Sequence, residues 1–257
     1  MFNKLLIISG PTATGKTDLA VKLAKKYNGE LISADSRQIY CGLNIGTGKD
    51  HPKNIKINLI DIIRPNQSFS VAQYQKLALQ KITEIQNKNK LPIIVGGTGL
   101  YIDSIINKQT ETYSIKPNYF LRLILNHCST STIQKIYKLI NLRDFNNLNN
   151  SEKNNPHRLI RKIEIKIFSL KNKKSPLSKR DLGGFDLFHI SLTAPNDFLY
   201  QKIDQRVSSR LKNGLLQEIK NLLKIYHWSD VGFNTLAYKE FKSYFKKPNQ
   251  ENLENVF

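Results

Sequence analysis

Eight consecutive residues, Gly10-Pro11-Thr12-Ala13-Thr14-Gly15-Lys16-Thr17, satisfy the pattern G-x-x-x-x-G-K-[ST], whose residue types suit the holding of phosphate. Glycines let main-chain N–H groups converge on phosphate oxygens, and a helix that follows points its positive end at the same place. Lys16 brings an ammonium to the terminal phosphates, and Thr17 offers a hydroxyl to Mg²⁺. A glycine turn that merely joins strand to helix is the bland alternative; an apolar run before the loop and a helical pattern after it speak against that. The motif is silent on which phosphorylated molecule is held, and on this evidence alone ATP is the default. A second chemical group, the carboxylate of Asp35, follows a short apolar run, and a glycine cluster, Gly96, Gly97 and Gly99, closes another. Gly46-Thr47-Gly48-Lys49 has the look of a further phosphate loop but lacks the full spacing, and reads better as a turn lining the site.

These groups need a scaffold that brings them to one edge. Lys4–Ser9, Glu30–Ser33, Ile57–Ile63 and Leu91–Val95 read as strands, and the helical pattern after Lys16 places Leu19, Ala20, Leu23, Ala24 and Tyr27 on one face. Ser70–Gln86 is also helical. Strands alternating with helices predict an α/β fold with a parallel, doubly wound sheet, in which ligands gather at the carboxyl ends of the strands. The loops at Gly10, Asp35 and Gly96 would share that edge. From about Thr110 to Arg180 strand signals vanish and the chain turns helical and rich in Asn and Lys. Six of the ten residues from Asn146 to Asn155 are asparagine, which marks a loop or flexible link. After Pro156, Leu159, Ile160, Ile163, Ile167 and Phe168 make a buried stripe, while Arg158, Lys162 and Lys166 fall at i, i+4 and i+8 with Arg161 beside them. Phe188–Leu192 reads as a returning strand. Asn196 or Asp197 caps a long helix that stops at Asn213–Gly214, and another runs from Leu215 to about Tyr226. The expected organisation is a core of residues 1–110 and 185–257 around a helical insertion of residues 111–184.

The chain of 257 residues is long enough for a sizeable core, and its formal charge of +20 favours polyanionic partners, nucleic acid first. Part of that charge reflects a general abundance of Lys. Cys41 and Cys128 have no metal-like spacing, which suits a reducing compartment and argues against a disulfide scaffold or a cysteine zinc site. No stretch approaches the ~20 apolar residues of a membrane helix. A cytoplasmic protein without a membrane anchor is expected.

Five segments together carry a resemblance. Glu30-Leu-Ile-Ser-Ala-Asp35-Ser36-Arg37-Gln38-Ile-Tyr40, running on to Gly42-Leu-Asn-Ile-Gly46-Thr47-Gly48-Lys49, joins the Gly10–Thr17 loop and Val95-Gly96-Gly97-Thr98-Gly99-Leu100-Tyr101. Asn155-Pro156-His157-Arg158-Leu159-Ile160-Arg161 and Tyr200–Val207 through Gly214–Glu218 follow in order. Together, over about nine-tenths of the chain, they resemble the bacterial tRNA dimethylallyltransferases, also called tRNA isopentenyltransferases. The resemblance implies a P-loop NTPase-like core with an insertion that grips the tRNA anticodon stem-loop. It also implies transfer of a dimethylallyl group from dimethylallyl diphosphate to N6 of the adenosine just 3′ of the anticodon, with Mg²⁺ as cofactor and the protein acting as a monomer.

On that resemblance the diphosphate lies in the Gly10–Thr17 loop, its leaving oxygens stabilised by Lys16, by Mg²⁺ held partly through Thr17, and by Arg206. Asp35 matches the catalytic aspartate that takes the N6 proton, a step that contributes ~10²–10⁴-fold as general base catalysis. Ser36, Arg37, Gln38 and Thr98 would meet the extruded base or its neighbours. His157, Arg158, Leu159, Ile160 and Arg161 would carry the tRNA contact of the insertion, with Arg122 as a further tRNA residue. The chain departs from the family in two places: Ala237 stands where relatives commonly have glycine, and the usual basic C-terminal helix would lie beyond Phe257, so a C-terminally shortened member is expected. Two other readings remain open. A P-loop small-molecule kinase or nucleotide hydrolase shares the loop but gives no reason for Asp35–Tyr40 or the basic helix. An inactive tRNA-binding homologue accounts for both.

Overall fold

The computed structural model describes residues 3–49, 52, 55–106, 115–172 and 185–249. The chain divides into two compact units, one of Met1–Ile106 with Leu182–Phe257 and one of Asn107–Asp181. The changeovers expected near residues 110 and 185 fall at or beside stretches outside the described residues.

In the larger unit β1 (Lys4–Ser9), β2 (Gly29–Ser33), β3 (Ile57–Asn58), β4 (Leu91–Gly96) and β5 (Asp186–Ser191) form one sheet in the order β3-β2-β4-β1-β5, every pairing parallel. The inner strands read as unbroken apolar runs because helices cover both of their faces. Strand side chains alternate, so Leu5, Ile7, Ile32 and Ile94 pack against α2 (Val71–Asn87) and α3 (Gly99–Ile106). Their neighbours Leu6, Ile8, Leu31, Ile93 and Val95 pack against Ala20 and Ala24 of α1 (Lys16–Lys26). Each buried Ile or Leu contributes ~2 kcal/mol by leaving water. Ser70 caps α2 and Gln73 returns the hydrogen bond, a complete capping box.

Several expectations are corrected. The strand expected over Ile57–Ile63 stops at Asn58, because Leu59 (φ 62°) and Asp61 (φ 56°) adopt left-handed conformations that no strand can continue. Ile63 rejoins through a single bridge to Tyr40. Tyr27 lies past the end of α1 and is exposed, off the buried face. Pro195, not Asn196 or Asp197, occupies the N-cap position of the long helix Asn196–Lys212, and Asp197 instead sits in its first turn, where a carboxylate complements the helix dipole. The following helix, Leu215–Leu222, ends before the expected Tyr226; Gly214 separates the two in a left-handed conformation (φ 94°).

The smaller unit contains α4 (Tyr119–Leu125), α5 (Thr130–Asn147), α6 (Asn150–Lys153) and α7 (Pro156–Asn172), around a core that includes Ile133, Tyr137, Phe145 and Ile163. The asparagine-rich stretch is not a plain link. Asn149 caps α6 in a box with Glu152, and the Asn155 side chain accepts from Arg158 N at the start of α7, so these asparagines serve as helix caps. Phe168 stands half-exposed, off the stripe that buries Leu159, Ile160 and Ile163. The larger unit also contains α8 (Asn196–Lys212), α9 (Leu215–Leu222), α10 (Leu236–Lys239) and α11 (Lys242–Lys246).

Candidate active site

At the carboxyl edge of the sheet the three expected loops meet around one cavity of about 730 Å³. Its wall includes Thr12–Asp18 after β1, Asp35, Arg37 and Gln38 after β2, and Gly96 and Gly97 after β4. Ala34 N donates to Val95 O at 2.8 Å and Thr98 N to Ala34 O at 3.0 Å, tying the second loop to the third. That approach needs Gly96, since a Cβ there would stand 2.2 Å from Ala34 O.

The first loop is built for an anion. Gly10 packs against the Leu192 backbone, and Ala13 (φ 68°) and Gly15 (φ 78°) take left-handed conformations that turn successive N–H groups inward. Gly15 occupies the N-cap of α1 with no side-chain cap, and the first helical bond is Leu19 N to Gly15 O at 3.1 Å. The amides ahead of it are therefore available to an anion. Thr14 donates to Pro11 O at 2.8 Å, and the Lys16 ammonium folds back onto the same carbonyl. Burial holds the Lys16 pKa below the ordinary lysine value; Asp35 acts against that shift and Arg206 adds to it, so both lie within electrostatic reach of the Lys16 ammonium.

Asp35 follows β2, and its Oδ1 accepts from Arg37 N at 2.8 Å, a turn that fixes the carboxylate at the cavity wall. Ser36 N donates to Thr98 Oγ1 at 3.0 Å. Ser36 and Thr98 thus brace each other beside the cavity, while Arg37 and Gln38 line it. Gln38 accepts from Ser33 Oγ and donates to Gly48 O, both at 3.2 Å. Arg206 reaches the cavity from α8 and donates through Nη2 to Gly48 O at 3.2 Å. Gly46 and Thr47 line the cavity, as expected of that turn. Lys49 is not a phosphate ligand: its ammonium is fully buried on Tyr40 O, Asn44 Oδ1 and Asp61.

Sequence reasoning did not single out Phe198, Lys202 and Arg210, which line the cavity from the same helix as Arg206. The signal was present, because 198, 202, 206 and 210 follow one another at intervals of four, one face of an α-helix. Among the described residues no cluster of three or more His, Cys, Asp or Glu side chains could hold a metal. One hydroxyl, Thr17, beside a phosphate cradle fits Mg²⁺, which keeps several waters and takes its other ligands from the substrate.

In the smaller unit, His157, Arg158, Arg161 and Lys162 border a surface hollow of about 400 Å³. Arg158 and His157 are exposed. Leu159 (0% exposed) and Ile160 (3%) lie in the core of the unit and cannot touch RNA; they hold the basic face in place. Arg122 forks onto Glu164 at 2.7 and 2.9 Å, and Arg161 bonds to the same carboxylate at 3.0 Å and to Ile115 O at 2.9 Å. Glu164 is 1% exposed at its side chain. Although burial alone would raise its pKa, the bonds from Arg122, Asn118 N and Arg161 outweigh that and hold it below the usual carboxylate value. Glu164→Gln is expected to destabilise the protein by about 2 kcal/mol, the scale of lost charged hydrogen bonds, read as a lower urea midpoint. A depressed folded pKa gives stability that is fully present above the unfolded value and lost as pH falls through the folded one. The difference between parent and variant should therefore shrink below about pH 4.

The sequence model of the IPP transferase family matches residues 38–257. The tRNA dimethylallyltransferase of Alkaliphilus oremlandii is 39% identical over 254 residues, covering 96% of this chain and 80% of the relative. That of Bacillus subtilis is 38% identical, covering 94% and 78%. Among solved structures, the full-length tRNA isopentenylpyrophosphate transferase of Bacillus halodurans superposes with a TM-score of 0.68 at 34% identity, over 99% of this chain and 82% of that one. A eukaryotic dimethylallyltransferase acting on tRNA gives 0.83 at 26%, over 98% and 66%. The core is accordingly the P-loop NTPase-like sheet these enzymes share. The Gly10–Thr17 loop and Asp35 precede the residues matched by the family model, and near-complete coverage by full-length relatives ties that N-terminal stretch to the rest. With similarity of this strength over nearly its whole length, the chain belongs to the IPP transferase family.

Proposed function

We propose that this protein is a tRNA dimethylallyltransferase that moves a dimethylallyl group from dimethylallyl diphosphate to N6 of the adenosine 3′ of the anticodon. The observation that carries the reading is the single cavity with an anion cradle, Lys16 and Arg206 on its wall together with the carboxylate of Asp35. An allylic diphosphate ionises more readily as negative charge on its leaving oxygens is stabilised. The open amides at the start of α1, the Lys16 ammonium and the Arg206 guanidinium supply that stabilisation, and Mg²⁺ bound partly through Thr17 would add a further positive charge. The adenine amine is a weak nucleophile because its lone pair is delocalised into the ring. Asp35 accepts a hydrogen bond from N6–H and takes the proton as the new C–N bond forms. Arg37 and Gln38 line the space for the everted base and recognise it or its neighbours.

The exposed face of α7 supports tRNA binding, with Arg158 the most accessible cation among its described side chains. Lys162 is partly engaged by Glu152 at 3.5 Å and Asp144 at 3.9 Å. Arg158→Ala is expected to weaken tRNA binding alike for all tRNA sequences, and to reduce the slope of log affinity against log salt by about one. Filter binding across a salt series reads both. Among the described residues no helix is long and apolar enough to cross a membrane; a monomer working in the cytoplasm is the arrangement proposed.

The test is to incubate the protein with dimethylallyl diphosphate, Mg²⁺ and unmodified tRNA, then digest the tRNA and weigh its nucleosides. Prenylated adenosine is expected. ATP turnover without tRNA would instead favour a kinase or hydrolase, and salt-sensitive tRNA binding without product would favour an inactive binder.

A further inference from the structure

The turn at residues 44–48 contains a second main-chain anion cradle, and the protein fills it itself. Asn44 N donates to Glu218 Oε2 at 3.1 Å, Ile45 N to both carboxylate oxygens at 2.9 and 3.1 Å, and Gly46 N to Oε1 at 3.2 Å. Three successive amides on one carboxylate make a nest of the kind that elsewhere holds phosphate. The Tyr238 hydroxyl closes it with a bond to Glu218 Oε1 at 2.6 Å. Burial and the adjoining carboxylate push the Tyr238 phenol well above its ordinary pKa, so it remains a donor. Gly46 admits the Tyr238 ring, because a Cβ there would lie 2.4 Å from Cζ.

The far end of this turn is Gly48, whose carbonyl accepts from Gln38 Nε2 and from Arg206 Nη2, both at 3.2 Å. A carbonyl has two lone pairs, and here both are directed at side chains that line the active cavity. A Cβ at Gly48 (φ 61°) would stand 2.2 Å from Arg206 Nη2, so any other residue there would displace that guanidinium. The path thus runs from Glu218 through three amides to the turn, and from the turn's last carbonyl to the two side chains.

We infer that Glu218, locked by Tyr238, is a positioning residue for the transfer reaction: it holds the 44–48 turn so that Gly48 O aims Arg206 at the diphosphate and Gln38 at the base. This rests on the diphosphate reading of the site, and its test does not need prenyl transfer. Binding of Mg²⁺-pyrophosphate by isothermal titration calorimetry is compared in the parent, Glu218→Gln, Arg206→Ala and the double variant. Glu218→Gln keeps the side chain's size but turns an amide toward the N–H donors. It is expected to weaken pyrophosphate binding about tenfold, the scale of one charged hydrogen bond, and to raise the KM for donor similarly. Its tRNA affinity should stay within about twofold, because Gln38 is one of several proposed tRNA contacts and those on α7 share no partner with this turn. The deciding result is the cycle: in the Arg206→Ala background, Glu218→Gln should add almost nothing.

Losses that multiply, an unchanged pyrophosphate affinity in Glu218→Gln, or a parent that binds no pyrophosphate would each overturn the inference. Should Glu218→Gln fail to fold, Tyr238→Phe keeps the ring against Gly46 and removes one bond; about a threefold loss with the same non-additivity is then expected. A parent that binds pyrophosphate but makes no prenylated adenosine would remove the transfer reading and leave the role of Glu218 standing.

Discussion

Asp35→Ala is expected to lower prenyl transfer by about 10³-fold, within the range for loss of a positioned general base, while tRNA affinity changes little. The side chain follows β2, its backbone anchored by Ala34 N to Val95 O, and its carboxylate shares the cavity with Lys16 and Arg206. Removing it takes away the acceptor for the N6 proton and leaves the sheet untouched, because Ala is compatible with the local backbone and Thr98 still fastens to Ala34 O. Single-turnover transfer and tRNA filter binding separate chemistry from binding. Asp35→Asn is the sharper variant, since it retains the hydrogen bond from Arg37 N but cannot take a proton; it should be nearly as impaired as Asp35→Ala. Transfer by Asp35→Asn close to the parental rate would mean that another group accepts the proton.

Lys16→Ala is the second large effect, with transfer expected to fall by about 10²–10³-fold, comparable to losing one preorganised donor from a site where negative charge develops. The ammonium is half-buried and already displaced from its ordinary pKa by burial, so it is poised in a poorly solvated place where its charge acts strongly. Because the charge on the diphosphate grows as the allylic bond breaks, kcat should fall more than donor affinity, and the KM for tRNA should stay near the parental value. Pre-steady-state transfer with calorimetric pyrophosphate binding reads the two separately. A variant that loses donor affinity but keeps kcat would show that Lys16 only binds.

Much of this site was legible in the sequence because its parts are local. The Gly10–Thr17 loop declares itself by spacing, and the parallel α/β sheet follows from the alternation of apolar strands and amphipathic helices; the two other places where a strand hands its chain to the cavity, Asp35 and Gly96, stand out as punctuation after such strands. Arg206 required the family resemblance, since a helix arginine has no local mark of function. What stayed hidden is long-range. Glu218 lies more than 170 residues from the amides it receives, and nothing in Leu215–Leu222 announces that one carboxylate of an ordinary amphipathic helix will fill a nest. Lys49 follows two glycines and a threonine, which suggests phosphate; only the fold shows Asp61 and two backbone or amide oxygens waiting for it. In the insertion, composition misled at Asn149 and Asn155, where asparagine caps helices rather than loosening a link. Leu159 and Ile160 show the converse error, since a motif carried over as a block includes residues whose part is to pack.

The most direct measurement is a crystal structure of this chain with an unreactive thio-analogue of dimethylallyl diphosphate and an anticodon stem-loop. The diphosphate is expected on the amides at the start of α1, beside Lys16 and Arg206, with N6 of the everted adenine about 3 Å from an Asp35 carboxylate oxygen. A diphosphate bound elsewhere, or an Asp35 turned from the cavity with no nucleobase beside it, would contradict the proposed chemistry.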